Sequence, residues 1–200
     1  MSRTNAQRVE ALLGRKGLIR SADFERIGVS RSELKRLTER RVVERVARGI
    51  YGLPGAVLTE HHSLAEATRL VPGGVICLLT ALRFHGLTTQ NPFEVWMAIE
   101  AKAWRPKRPG LKLRIVHVSG ASFPAGVEEH DVSGVRIRVY SAAKTVADCF
   151  KFRNKIGIDV AVEALKDFTR HHRGGANDLA RFAGICRVSH VMQPYLDAIS

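Results

Sequence analysis

The signal that most restricts the fold lies at residues 29–34. Ser30 occupies a helix N-cap position, Glu33 follows three residues later, and Val29 and Leu34 flank the pair as apolar residues. This is the pattern of a capping box with a hydrophobic staple: the serine hydroxyl accepts from the third helical N–H, the glutamate reaches back to the cap, and the two apolar side chains pack across the helix start. A helix beginning there buries Leu34 and Leu37. At 100° per residue it turns Ser32, Arg36 and Glu39 away from the core and sets Arg31, Lys35 and Arg40 on its flanks.

Signals on either side give this helix a context. Upstream, Val9, Leu12 and Leu13 recur at helical spacing until Gly14 and Gly17 interrupt them, which predicts a first helix ending near Lys16. Ser21 is placed to cap a short helix over residues 22–27, closed by Gly28. Downstream the period changes to two. Residues 42–46 and 50–53 read as strands joined by Ala47-Arg48-Gly49, a hairpin with glycine at its turn and Pro54-Gly55 closing it. Helix, turn, cationic helix and hairpin in this order predict a winged helix-turn-helix DNA-binding domain over residues 1–57. Arg31, Ser32, Lys35, Arg36 and Arg40 are its candidate groove-facing residues. Arg45 and Arg48 are candidate wing contacts to the backbone or minor groove.

The charge supports a polyanionic partner. The chain has 200 residues with 32 Lys and Arg against 19 Asp and Glu, a formal charge of +13, and residues 1–57 carry +7 of it. A second basic stretch contains Lys102, Arg105, Lys107 and Arg108, candidate secondary phosphate contacts. With 45% hydrophobic residues the chain can bury a core and is not a disordered basic tail. Its N-terminus has no signal-peptide pattern and no apolar run is long enough to span a bilayer, so a cytoplasmic location without membrane contact is expected. Cys77, Cys149 and Cys186 sit among apolar neighbours without a C-x-x-C pair, as buried free thiols do.

Residues 58–200 read as a mixed α+β domain with a small sheet and packed helices. Helices are expected over 58–70 and 75–84, strands over 92–99 and 111–118, and a hairpin pairs 128–131 with 135–140 around Ser133-Gly134. Ser141 caps a helix whose Val146, Cys149 and Phe150 point inward. A further helix over 158–172 carries Val160, Ala161, Ala164, Leu165 and Phe168 on one stripe, and two short helices follow over 176–187 and 189–199.

Four segments, taken in order, resemble a known family. They are Glu44-Arg-Val-Ala-Arg-Gly-Ile-Tyr51, Leu79-Thr-Ala-Leu-Arg-Phe-His-Gly-Leu87, Ser141-Ala-Ala-Lys-Thr-Val-Ala-Asp-Cys-Phe150 and Gly157-Ile-Asp-Val-Ala-Val-Glu-Ala-Leu165. Together with the front segment they are similar to AbiEi-type antitoxins of type IV toxin-antitoxin systems. The resemblance implies a repressor of its own operon that binds double-stranded operator DNA. It also implies a C-terminal domain that counters a nucleotidyltransferase toxin, with direct contact to the toxin left open.

Catalytic motifs are weaker. Ser141-Ala-Ala-Lys144 matches S-x-x-K, but the companion S-D-N and K-T-G motifs are missing and a serine N-cap explains the pair. His61-His62 and His171-His172 are adjacent, and neighbours on a helix diverge by 100° rather than converge on one ion. His171 and His172 suit a helix C-terminus, and His85 a helix end. The pairs Gly73-Gly74 and Gly174-Gly175 lack a phosphate-loop frame. Asp131, Asp148, Glu163 and Asp167 would make a metal site only if the fold gathered them. The expectation is therefore a protein that is not an enzyme, with no cofactor and no metal. The alternatives are a nucleic-acid-processing enzyme targeted by its winged helix, or a ligand-sensing transcription factor.

Overall fold

The computed structural model describes residues 4–17, 19–47, 49–54, 60–103, 112–132 and 134–199. The chain divides into two compact units, one over Met1–Pro72, Pro106–Lys112 and His130–Ile137, the other over Gly73–Arg105, Leu113–Glu129 and Arg138–Ser200. The fold class is α+β.

In the first unit, α1 (Asn5–Lys16) opens with a capping box that the sequence reading did not anticipate. The Thr4 hydroxyl accepts from the Gln7 N–H while the Gln7 side chain accepts from the Thr4 N–H. A two-residue strand, β1 (Ile19–Arg20), leads into α2 (Ser21–Arg26), so Ser21 is the first helical residue rather than its cap. Gly28, at φ +78°, turns the chain toward α3 (Arg31–Glu39), which is capped by Ser30. Strands β2 (Glu44–Ala47) and β3 (Ile50–Gly52) form the hairpin. β1 adds to it, giving a three-stranded antiparallel sheet of order β1-β3-β2 in which Ile19 lies opposite Tyr51. The register shifts between Arg45 and Ala47. Val9, Leu13, Ile19, Phe24, Val29, Leu34, Leu37 and Val43 make one core beneath these elements. Phe24 meets Tyr51 edge to face at 5.7 Å. Helix α4 (Glu60–Leu70) follows in the same unit, and burial raises the pKa of its Glu66 carboxyl.

A five-stranded sheet of order β6-β5-β4-β8-β7 runs through the second unit, although His130–Ile137 of its β7–β8 hairpin belongs to the first. Its strands are β4 (Val75–Ile76), β5 (Val95–Glu100), β6 (Leu113–Val118), β7 (Val127–Val132) and β8 (Val135–Tyr140). β5 and β6 run parallel over their whole length, from Val95 opposite Leu113 to Glu100 opposite Val118. β4 is antiparallel to β5 and parallel to β8 through Ile76 and Val139. The apolar run over 75–84 is thus two elements and not one helix. Val75 and Ile76 are strand, and α5 (Leu78–Phe84) begins at Leu78, whose φ is +46°. A short apolar run buried on all sides has the same hydropathy in either conformation, and sheet pairing decides between them.

The helices α6 (Ala142–Lys151), α8 (Ile158–His171), α9 (Ala176–Cys186) and α10 (Ser189–Ile199) pack into this unit's core, with a one-turn α7 (Arg153–Ile156) that the sequence did not announce. The stripe Val160, Ala161, Ala164, Leu165 and Phe168 on α8 is buried, as its spacing predicts. No helix among the described residues is long and apolar enough to cross a membrane.

Candidate nucleic-acid interface

Local chemistry sets the attitude of α3. The Ser30 hydroxyl accepts from the Glu33 N–H at 3.2 Å, and Leu34 and Leu37 are buried in the core formed with α1 and α2. The opposite side is thereby forced outward. Arg31, Ser32, Lys35, Arg36 and Arg40 are all exposed, as is Arg45 on β2. Arg48, the second wing residue, lies outside the described residues. Of the second basic stretch, Lys102 is exposed on the turn after β5, while Arg105, Lys107 and Arg108 lie outside the described residues.

The cations of α3 are not bare. Arg31 Nε donates to Glu25 Oε1 at 2.9 Å, Arg36 to Glu33 Oε2 at 3.1 Å, and Lys35 Nζ stands 3.8 Å from Glu39. Only the serine half of the expected capping box forms: Glu33 supplies the N–H that Ser30 caps, but its carboxylate engages Arg36 rather than reaching back to the Ser30 N–H. Ser32 Oγ shares a 2.9 Å hydrogen bond with Ser30 Oγ. Arg40 is the C-cap, its N–H donating to the Arg36 carbonyl. The three acids belong to the same surface, and the sequence reading assigned roles to the cations without them. Two of the pairs were legible from their i,i+3 and i,i+4 spacing. Arg31 with Glu25 was not, because it spans the turn between α2 and α3.

The residues that resembled a catalytic site are placed differently. Ser141 Oγ accepts from the Lys144 N–H at 3.3 Å, as an N-cap does, and Lys144 Nζ donates to Asp148 Oδ2 at 2.5 Å. The lysine is thus an ion-pair partner and not a base poised over the serine. This pair is 0% and 1% exposed. Around it, Cys186 Sγ donates to Asp148 Oδ1 at 3.2 Å, and the Lys144 ammonium sits 4.1 Å from the centre of the Tyr140 ring. Burial, and then the Asp148 charge, push the Tyr140 hydroxyl upward and raise the Cys186 thiol to about 11. Burial does the same to Cys77 and Cys149, which lie well above the ordinary thiol value.

The other carboxylates are scattered. Asp131 accepts from the Gly134 N–H at the hairpin turn, and Asp167 pairs with Arg170 at 3.5 Å. Among the described residues no group of three His, Cys, Asp or Glu could hold a metal ion. His85 Nε2 donates to the Tyr140 carbonyl at 2.7 Å, and His171 Nδ1 donates to the Asp167 carbonyl at 2.8 Å. His172 stacks on Phe168 at 4.7 Å. These are contacts of helix ends.

Residues 7–54 match the family model of the AbiEi antitoxin transcriptional regulators. The matched stretch runs from α1 to the residues just past β3 and includes the whole exposed face of α3. It is similar to a family described as transcriptional regulators. No curated protein matches the chain. The matched stretch lies within residues 1–57, which carry +7 of the chain's formal charge of +13.

Proposed function

We propose that this protein is a cytoplasmic, non-enzymatic DNA-binding repressor and the antitoxin of a type IV toxin-antitoxin pair. It represses its own operon through residues 1–57 and counters a nucleotidyltransferase toxin through residues 58–200. The observation that carries the reading is α3 itself. Two buried leucines anchor it, and they leave Arg31, Ser32, Lys35, Arg36 and Arg40 exposed within the stretch similar to AbiEi regulators.

Such a helix suits the width of a major groove, where an arginine reads guanine through two hydrogen bonds worth about 1–3 kcal/mol of discrimination. Lys35 has the chemistry of a phosphate contact, as do Arg45 and Arg48 on the wing and Lys102, Arg105, Lys107 and Arg108 in the second basic stretch. The test is a titration of operator and scrambled duplexes at several salt concentrations. Arg36→Ala is expected to narrow the gap between the two duplexes by about 10- to 100-fold. Arg48→Ala is expected to weaken both alike and lower the salt slope by about one unit. Unchanged binding in both variants overturns the assignment. The antitoxin half is tested by co-expression with a nucleotidyltransferase encoded beside the gene, and growth that stays arrested refutes it.

A further inference from the structure

The second unit contains a cleft that the DNA-binding reading does not use. It lies between α8, α9 and α10, has a volume of about 260 Å³, and its walls are mostly apolar: Phe168, Leu179, Ala180, Ala183, Met192 and Leu196. Its mouth is cationic. His172, Arg173 and Gly174 line the cleft and also line a wider, polar depression of about 730 Å³ that holds Arg170 and His171. The acids in that depression are Glu128 and Asp178, and Asp178 is paired with Arg181 at 3.0 Å. Arg170 is likewise engaged, with Asp167. No ion pair is formed by Arg173 among the described residues, and its side chain is exposed at the boundary between the two spaces.

Two glycines shape the backbone beside this mouth. Gly174 adopts φ +90°, a conformation that side-chain-bearing residues rarely take. At Gly175 a Cβ would come within 2.7 Å of the Phe168 ring, so any side chain there would drive that ring out of its position in the cleft wall. The Phe168 ring is also stacked on the His172 imidazole.

We infer that this cleft binds a small amphipathic monocarboxylate, its apolar body between α9 and α10 and its carboxylate on Arg173. The chemistry is complementary at both ends. Apolar walls reward removal of a hydrocarbon from water, and a guanidinium presents two parallel donors to a carboxylate. Size sets the class. At about 30 Å³ per water-sized group, the cleft accepts a body of roughly eight carbon atoms. Pockets of this kind, mostly apolar with a few convergent polar groups, are the usual form of a small-molecule site.

The experiment is calorimetric titration of the full chain with sodium octanoate, 1-octanol and sodium butyrate. The wild-type protein is expected to bind one octanoate, to bind octanol at least tenfold more weakly, and to leave butyrate unbound. Arg173→Gln, an exposed change, is expected to bring octanoate down to the level of octanol while leaving octanol itself unaffected. Ala180→Phe, also exposed, plugs the cleft and is expected to abolish both. Circular dichroism melting shows that the variants remain folded. An absence of octanoate binding to wild type overturns the proposal, as does binding that survives Ala180→Phe. Sedimentation that finds a dimer dissociated by Ala180→Phe, without octanoate binding, assigns the cleft to a second copy of the chain and overturns it too.

Discussion

Removing the Asp148 carboxylate isolates the energetics of the second unit's core. Asp148→Ala leaves the Lys144 ammonium fully buried, with the face of Tyr140 at 4.1 Å in place of a counter-ion at 2.5 Å. It also deprives Cys186 of its acceptor. Breaking one side of a buried ion pair costs about 3–5 kcal/mol, because an uncompensated charge stays in a low-dielectric surround. For a protein of this size that corresponds to a fall in melting temperature of roughly 6–20 °C. Lys144→Met should cost a similar amount, since it strands the carboxylate instead. Replacing both together, Lys144→Met with Asp148→Leu, removes both charges and is expected to lie within about 1 kcal/mol of wild type or above it. The assay is urea unfolding followed by circular dichroism and by the fluorescence of Trp96, which belongs to the same core cluster. A single variant that costs less than about 1 kcal/mol, or a double variant whose loss is the sum of the two singles, refutes the reasoning.

Two further outcomes follow from the same core. The three thiols should resist disulfide-exchange reagents at pH 8 in the native state, because burial holds Cys77, Cys149 and Cys186 above the ordinary range and the thiolate is the reactive form. Labelling of Cys186 should rise only as the pH approaches 11, all three should label on unfolding in urea, and one fast native thiol contradicts this. Gly126→Ala should destabilise by about 2–4 kcal/mol, since its φ of +70° is strained for alanine and the new Cβ would sit 2.8 Å from Lys144 Cβ and 2.9 Å from the Phe182 ring. Trimming Phe182 to leucine in that background should recover part of the loss if the clash is its cause, as equilibrium unfolding will show.

What could be read from the sequence was what neighbouring residues decide among themselves. Ser30, Leu34 and Leu37 are within eight positions of one another, and cap, staple and periodicity fixed the start and buried side of α3 before any tertiary contact was known. The stripe on α8 and the cap at Ser141 were legible for the same reason. Elements whose existence depends on distant partners were not. β1 is two residues long and carries no pattern; its partner, β3, lies some thirty residues away. Val75 and Ile76 become strand because Ala98, Met97 and Val139 pair with them. The candidate site divides along the same line. Exposure of the α3 cations follows from helical geometry, whereas the link between Arg31 and Glu25 depends on how a turn is folded. Lys144 and Asp148 are one helical turn apart, but what buries them, Tyr140 and Cys186, comes from outside α6.

The acids seated among the cations of α3 bear on what the proposed complex would reject. A strand that offers charge alone would approach Arg31, Lys35 and Arg36 and meet Glu25, Glu39 and Glu33 within 2.9–3.8 Å of the same nitrogens, so attraction and repulsion would arrive together. A base edge that occupies both arms of a guanidinium frees the carboxylate to swing into water. Heparin or polyphosphate would then compete poorly against a cognate duplex, and neutralising Glu33 would make the helix stickier and less discerning.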